Sequence, residues 1–188
     1  AIKHLTTGDG GALSCLDEED YLRAKRLKWF GVDHDNPEGG NVWMHDIDEW
    51  GLKANLNDVS AAIGIENIRH VETLIEQFHS NGILYNELLA DTPGVKLIRR
   101  DLKNDYSTFW AYCVIVEERH RLIQKLSEEG VAAAQIHPRN DDYSIFSMSK
   151  RPLPNVDHFS KRELSLPCGW WVSEQEVERI CGVIKRGW

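Results

Sequence analysis

The chain has 188 residues, which is enough to bury the core of one large domain or two small ones. Hydrophobic residues make up 41% of it and charged residues 28%, a balance typical of a soluble globular protein that excludes a disordered or fibrous one. The net charge of -8 argues against a nucleic-acid partner, because proteins that bind phosphate backbones present a basic surface.

The four cysteines, Cys15, Cys113, Cys168 and Cys181, have no C-x-x-C spacing and lie in apolar or strand-like surroundings. This pattern predicts reduced, buried thiols rather than disulfides or metal ligands. It favours a cytoplasmic protein, since disulfides accumulate in oxidising compartments. No stretch is long and apolar enough to span a membrane and no secretory signal is present, so we expect no membrane partner.

Lys3 stands directly before a turn-forming sequence, residues 4–11 (HLTTGDGG). A lysine amine can hold a carbonyl cofactor as an imine and then release it to a substrate amine. Glycine and Asp-Gly pairs also favour sharp reversals of any chain, so the same residues fit an ordinary turn. Taken alone, Lys3 fits a solvated surface charge as well, and only its neighbours favour catalysis.

Residues 17–28 carry the signals of a complete helix, with acids in the first turn, bases in the last and Gly31 just beyond. Residues 31–51 contain glycines, a proline and many acids, which predicts a long loop. In this loop His34 and His45 each neighbour an acid. Their spacing fits no helical or hairpin pair of metal ligands, so we predict polar loop residues and no metal site.

A second helix is predicted after residues 51–58 (GLKANLND), where Asn57 or Asp58 can cap an alanine- and isoleucine-rich run. From residue 69 onward, apolar residues recur at steps of three and four. This spacing predicts one long amphipathic helix, which Pro93 and Gly94 end.

The rest of the chain alternates between predicted strands and helices. The strands are expected at 95–98, 109–116 and 131–136, and a helix at 117–129. The final helix starts at a capping box in which Ser173 precedes Glu176 by three residues. The alternation predicts a small α/β unit.

Dense polar residues follow the last predicted strand, at 135–143 (QIHPRNDDY). The ends of strands are where α/β proteins commonly place ligand contacts. Arg139 is suited to a carboxylate or phosphate, because its guanidinium group binds such groups bidentately. The alternative interpretation of these residues is an ordinary surface turn.

Three of these segments, in this order, resemble the DegT-type nucleotide-sugar aminotransferases, which are pyridoxal-phosphate enzymes of fold type I. The run from Lys3 to Gly11 resembles their lysine turn, with Asp9 where glutamate is more frequent. Residues 51–64 resemble their glycine-aromatic segment and the helix that follows, with Leu52 in place of the aromatic residue. Residues 135–143 resemble their histidine-containing segment.

The resemblance implies that Lys3 holds pyridoxal 5'-phosphate as a Schiff base and then acts as a general base. It implies that Lys53 and Asn55 meet the phosphate of the neighbouring subunit's cofactor, a role that an ammonium and an amide donor can fill. The active site is then shared across a homodimer. Without the resemblance, the sequence fits a solvated lysine at Lys53 and an ordinary loop residue at Asn55 equally well.

On the substrate side, the resemblance implies that His137, Arg139 and Asn140 contact the carboxylate of the amino donor or the sugar nucleotide. The expected reaction moves an amino group from glutamate to a nucleotide-linked keto sugar. One alternative is a sugar dehydratase of the same family, although members of that class carry histidine in place of Lys3. The other is a dimerising or binding module without chemistry.

The resemblance also implies the fold class and the domain organisation. The chain is expected to be α/β, the C-terminal half of a fold type I aminotransferase. Residues 1–68 would form the C-terminal part of the cofactor-binding large domain, residues 69–90 a connecting helix, and residues 91–188 a small C-terminal α/β domain.

Overall fold

The computed structural model describes residues 3–35 and 46–188. The chain divides into two compact units, Ala1–His70 and Val71–Trp188. In the described residues, no helix combines the length and the apolar character needed to cross a bilayer.

The described residues of the first unit include two helices, and both begin as predicted. Helix α1, Glu18–Leu27, is capped by Asp17, whose side chain accepts a hydrogen bond from the Asp20 amide. Helix α2, Asp58–Ile68, is capped in the same way by Asn57. Each cap satisfies an amide that the first turn of a helix leaves without a partner. Neither helix contains a buried residue.

A short stretch of paired backbone joins the end of α1 to the residues before α2. The Leu52 amide donates to the Leu27 carbonyl at 2.9 Å, and the Ala54 amide to the Lys28 carbonyl at 2.8 Å. Gly51 makes this approach possible, because a Cβ atom there would lie 2.5 Å from the Leu27 carbonyl oxygen. The chain therefore returns to α1 after the loop.

The second unit opens with helix α3, Val71–Leu89, the predicted amphipathic helix. A three-stranded antiparallel sheet follows, formed by β1 (Val95–Leu97), β2 (Tyr112–Val116) and β3 (Glu163–Leu166), with β2 in the centre. The register places Val95 opposite Val116 and Tyr112 opposite Leu166. β2 starts later than the sequence predicts, because Phe109 adopts a left-handed φ of 43°, which lies outside the extended region of regular strands.

Helix α4, Arg119–Glu128, confirms the prediction for residues 117–129. The strand predicted at 131–136 is wrong, since only a single bridge forms there, between Ala134 and Ser165. Three of its six residues are alanine, which is a poor strand former. Helix α5, Pro154–Arg162, was not expected, although a proline in its first turn and two basic residues in its last turn are start and stop signals.

Helix α6, Glu174–Lys185, completes the unit and confirms the capping box, with Ser173 accepting from the Glu176 amide at 3.2 Å. Its inner face packs in a core that the sheet, α3 and α4 share. The free thiols of three cysteines are buried as predicted, but Cys15 is only half-buried. The central core residues are Tyr85, Leu89, Tyr112, Val114, Leu122, Leu126, Leu164, Val177 and Ile184.

Candidate active site

The lysine turn in the first unit is closed by its own threonines. The Gly8 amide donates to Thr6 Oγ1 at 3.2 Å, and Thr7 Oγ1 donates to the Asp9 carbonyl at 2.9 Å. Gly8 adopts a φ of 84°, which is accessible to glycine without a steric penalty. The side chain of Lys3 is exposed at the start of this turn.

Helix α2 fixes the lysine turn from outside. Asn67 Nδ2 donates to the Thr6 carbonyl at 2.8 Å. Gly64 presents bare backbone to the turn, since a Cβ atom there would lie 2.8 Å from Thr7 Cγ2. The first two sequence motifs are therefore brought together in one body, because the helix of the second motif holds the turn of the first.

Lys53 lies on the paired backbone between the loop and α2. The backbone of Lys53 forms an antiparallel bridge with that of Trp29. The Nζ atom of Lys53 lies 5.2 Å from the centre of the Trp29 ring. An ammonium group at this distance from an indole face is held by a cation–π attraction. The side chain of Lys53 is nevertheless exposed, so its charge is available to an anion.

Asn55 lies two residues further on and is half-buried. Its Oδ1 atom is buried and makes no hydrogen bond with any described residue. A pocket of about 310 Å³ opens beside it. Two lysines rim this pocket, Lys25 in α1 and Lys28 at the C-cap of that helix. The residues that line this pocket are Lys25, Lys28, Trp29, Asp33, His34, Asp35 and Asn55.

In the part of the chain that the structure describes, no group of three or more possible metal ligands occurs. The ring of His34 instead packs edge-on against Trp29, with the ring centres 5.6 Å apart. His45, together with the loop prediction for residues 36–45, falls outside the described residues.

The third motif lies in the second unit, around Arg139, which is only 9% exposed. Arg139 Nε donates to Asp141 at 2.7 Å, and its two terminal nitrogens pair with Asp141 and Asp157. It also donates to the Arg151 carbonyl at 3.1 Å. This pairing holds the pKa of Asp141 below its usual range. The guanidinium group thus links three parts of the 139–157 segment.

His137 and Asn140 flank Arg139 and are both exposed. The ring of His137 lies 6.5 Å from that of Trp110, between ring centres. Asn140 helps to line an open pocket of about 660 Å³ together with Arg139 and Lys150. Trp110 is the neighbour that the sequence did not point to, because 27 positions and a strand separate it from His137.

The structure therefore places Lys3, Lys53 and Asn55 in the first unit, and His137, Arg139 and Asn140 in the second. Of these six, Lys3, Lys53, His137 and Asn140 present exposed polar groups. Their roles toward a cofactor or substrate remain predictions from the sequence.

Comparison with known proteins gives a consistent family. The DegT/DnrJ/EryC1/StrS aminotransferase family profile matches residues 1–185. The chain is 28% identical over 187 residues to the dTDP-4-dehydro-2,3,6-trideoxy-D-glucose 4-aminotransferase of Saccharopolyspora spinosa, covering 96% of this chain and 48% of that protein. The chain spans about half the length of the curated relatives it matches.

Two solved structures are similar throughout. AtS13 from Actinomadura melliaura superposes with a TM-score of 0.92 at 34% identity, covering 99% of this chain and 49% of that one. The sugar aminotransferase CalS13 from Micromonospora echinospora gives 0.91 at 30% identity, covering 99% of this chain and 50% of that one. The expected fold type I architecture is confirmed by these matches. Enzymes of the matched family depend in general on pyridoxal phosphate. The chain belongs to the DegT/DnrJ/EryC1/StrS aminotransferase family.

Proposed function

We propose that this protein is an aminotransferase that uses pyridoxal 5'-phosphate to move an amino group from glutamate to a nucleotide-linked keto sugar. The observation that carries the proposal is the exposed Lys3 on a turn that α2 fixes through Asn67 and Gly64. The relative from Saccharopolyspora spinosa, whose name describes a sugar 4-aminotransferase, supports the substrate class.

Lys3 supplies the chemistry of this chain. Its amine would hold the cofactor, and the same Nζ atom would serve as the base that moves a proton at the substrate carbon. When bound, pyridoxal phosphate supplies the electron sink that stabilises a carbanion. The closed threonine turn fixes the backbone that follows Lys3, which limits the positions that its amine can reach.

Lys53 and Asn55 suit the cofactor's phosphate group. Lys53 provides an exposed positive charge, and the amide of Asn55 adds hydrogen-bond donors two residues away. We propose that they serve the cofactor of a neighbouring copy of this chain.

The homodimer in this proposal is supported by the surface of α2. Four of its apolar side chains are exposed, Val59, Ile63, Ile65 and Ile68, with exposed fractions of 73%, 44%, 62% and 57%. Val59 and Ile63 lie on one face of the helix and Ile65 and Ile68 on the other, and exposed apolar side chains favour burial against another protein surface. We place the protein in the cytoplasm, which its free thiols support.

In the second unit, His137 and Asn140 are proposed to contact the amino donor or the sugar nucleotide. Both are exposed and carry hydrogen-bonding groups. Arg139 already donates to two carboxylates and a carbonyl. Arg139 would have to give up one of these hydrogen bonds to contact the substrate directly. We therefore propose that its main role is to hold the segment that carries His137 and Asn140 in position.

Covalent labelling tests the role of Lys3. The chain is mixed with pyridoxal phosphate, reduced with borohydride and digested, and the labelled peptide is identified by mass spectrometry. We expect the label on Lys3 together with a visible absorbance band before reduction. Lys3→Ala removes both, whereas Lys103→Ala, at an exposed lysine of the second unit, leaves both unchanged.

A label spread over surface lysines, or a band that survives in Lys3→Ala, contradicts the proposal. A folded chain that binds no pyridoxal phosphate favours a dimerising or binding module instead. Circular dichroism of each variant establishes that the fold is intact before the labelling is compared.

A further inference from the structure

We propose that Trp29 is a positioning residue that holds the ammonium group of Lys53 toward the cofactor's phosphate. The inference rests on the proposed function, because it assumes that Lys53 binds that phosphate. It adds a residue from the end of α1 that neither the sequence motifs nor the comparisons assign.

The backbone places the two residues side by side. Trp29 and Lys53 are partners in an antiparallel bridge, flanked by the hydrogen bonds from Ala54 to Lys28 and from Phe30 to Leu52. Directly opposed residues in an antiparallel pair have side chains on the same face, close enough to touch. The pairing depends on Gly51, which lets the two segments approach.

The Trp29 ring is itself fixed from two sides. Phe30 packs against it at 5.4 Å and His34 at 5.6 Å between ring centres, both in edge-on geometry. A ring held in this way presents one face in a constant direction. The Lys53 ammonium lies over that face at 5.2 Å while the side chain stays exposed.

The consequence for phosphate binding is entropic as well as electrostatic. A free lysine side chain samples many rotamers and loses that freedom when it binds an anion. The cation–π contact restricts Lys53 before the anion arrives without neutralising its charge, since the attraction is to a ring quadrupole rather than to a carboxylate. Trp29 thereby prepares the side chain for binding.

Paired titrations with two ligands test this. Dissociation constants are measured for pyridoxal phosphate and for pyridoxal, which lacks the phosphate, and their ratio isolates the phosphate contribution. We expect Trp29→Leu to reduce that ratio by about two- to fivefold, the range of an exposed cation–π contact. Trp29→Phe, which keeps an aromatic face, retains most of it. Tyr21→Leu is the matched control, because Tyr21 lies under Lys25 in the same unit.

A double-mutant cycle with Lys53→Gln separates the inference from the proposed function. We expect Trp29→Leu to have no further effect on the ratio once Lys53 is replaced. If Lys53→Gln alone leaves the ratio unchanged, the phosphate contact and this inference both fail. If Lys53→Gln lowers it and Trp29→Leu does not, only the inference fails.

If the Trp29→Leu variant does not fold, the contact can still be tested without cofactor. In selectively labelled protein, the Lys53 methylene protons next to Nζ should show an upfield ring-current shift in the NMR spectrum. The shift should diminish in Trp29→Phe, whose ring is smaller. Methylene shifts at random-coil values in the wild-type protein overturn the proposal.

Discussion

The two units are stabilised in different ways. In the second, a continuous core draws residues from α3, α4, α6, β2 and β3, with β1 packed against it, and many of its side chains are completely buried. In the first, neither helix contains a buried residue, and the described contacts are caps, backbone pairing, single hydrogen bonds, the ring contacts of Trp29 and ion pairs such as that of Arg23 with Glu49. Hydrophobic burial dominates folding free energy, so we expect the second unit to be the more stable in isolation.

The largest effect is expected in the core of the second unit. Leu164 is completely buried in β3, and Leu164→Ala should lower the free energy of unfolding by about 2–5 kcal/mol through lost burial and a residual cavity. Leu16→Ala, at a fully exposed leucine of the first unit, should change it by less than about 0.5 kcal/mol. Urea unfolding followed by circular dichroism measures both. Equal effects would remove the contrast between the units.

Asn81 is the next strongest test, since it is a buried polar group within that core. Its amide donates to the carbonyls of Cys168, Gly169 and Val172 at 3.3, 3.2 and 3.0 Å. Asn81→Ala leaves these carbonyls without that donor and should cost about 1–3 kcal/mol. Fluorescence of the adjacent exposed Trp170 and Trp171 should shift at the same time. An unchanged unfolding curve would mean that water replaces the amide without loss.

The thiols report on the same contrast through pH. Burial raises the pKa of Cys168 and Cys181 to about 12 each, from an ordinary value of 9.0. Between these values the unfolded chain loses protons that the folded chain keeps, so the contribution of these two thiols to stability is fully present below about pH 9 and is lost as pH rises toward about 12. Denaturant titrations across this range measure the fall, and a rise with pH would contradict it.

The same cysteines distinguish the units by reactivity. Iodoacetamide should modify the half-buried Cys15 in the native protein well before the three buried thiols of the second unit. Mass spectrometry of timed samples resolves the order. Simultaneous modification of all four would show that the second unit opens as readily as the first.

The smallest expected effect concerns the cap of α2. Asn57 Oδ1 accepts from the Ser60 amide at 2.9 Å, and Asn57→Ala should destabilise the helix by about 1 kcal/mol, while Asn57→Asp should retain the cap. Amide hydrogen exchange in residues 58–68 measures the change. A loss of protection in the second unit as well would show that the two units unfold together.

Local signals were sufficient to predict the parts of the fold that depend on a few neighbouring residues. Asp17, Asn57 and Ser173 each identified a helix start, because a cap contacts an amide only three residues away. The left-handed Phe109 could not be predicted in this way. Its backbone follows from the packing of its ring over Gly82 in α3, where a Cβ atom would lie 2.3 Å from the ring.

The candidate site shows the same division. The lysine turn and the segment with Lys53 were recognisable as sequence motifs, since each is contiguous. The ion pair between Arg139 and Asp157 joins residues 18 positions apart, and the contact between Trp29 and Lys53 joins residues 24 positions apart. Neither contact follows from a regular spacing of residues in the sequence, so both become visible only in the folded chain.

Two parts of the α2 segment touch the lysine turn: Leu56, just before the cap of the helix, lies beside Gly10, and Gly64 and Asn67 within the helix lie beside the threonines. An α-helix turns by about 100° for each residue, with 3.6 residues per turn. One residue inserted between Asn57 and Gly64 would therefore rotate the two anchor points by about a quarter turn relative to each other. The length of this helix is therefore more tightly constrained than its composition, and α2 should tolerate substitutions away from Gly64 and Asn67 far better than insertions or deletions.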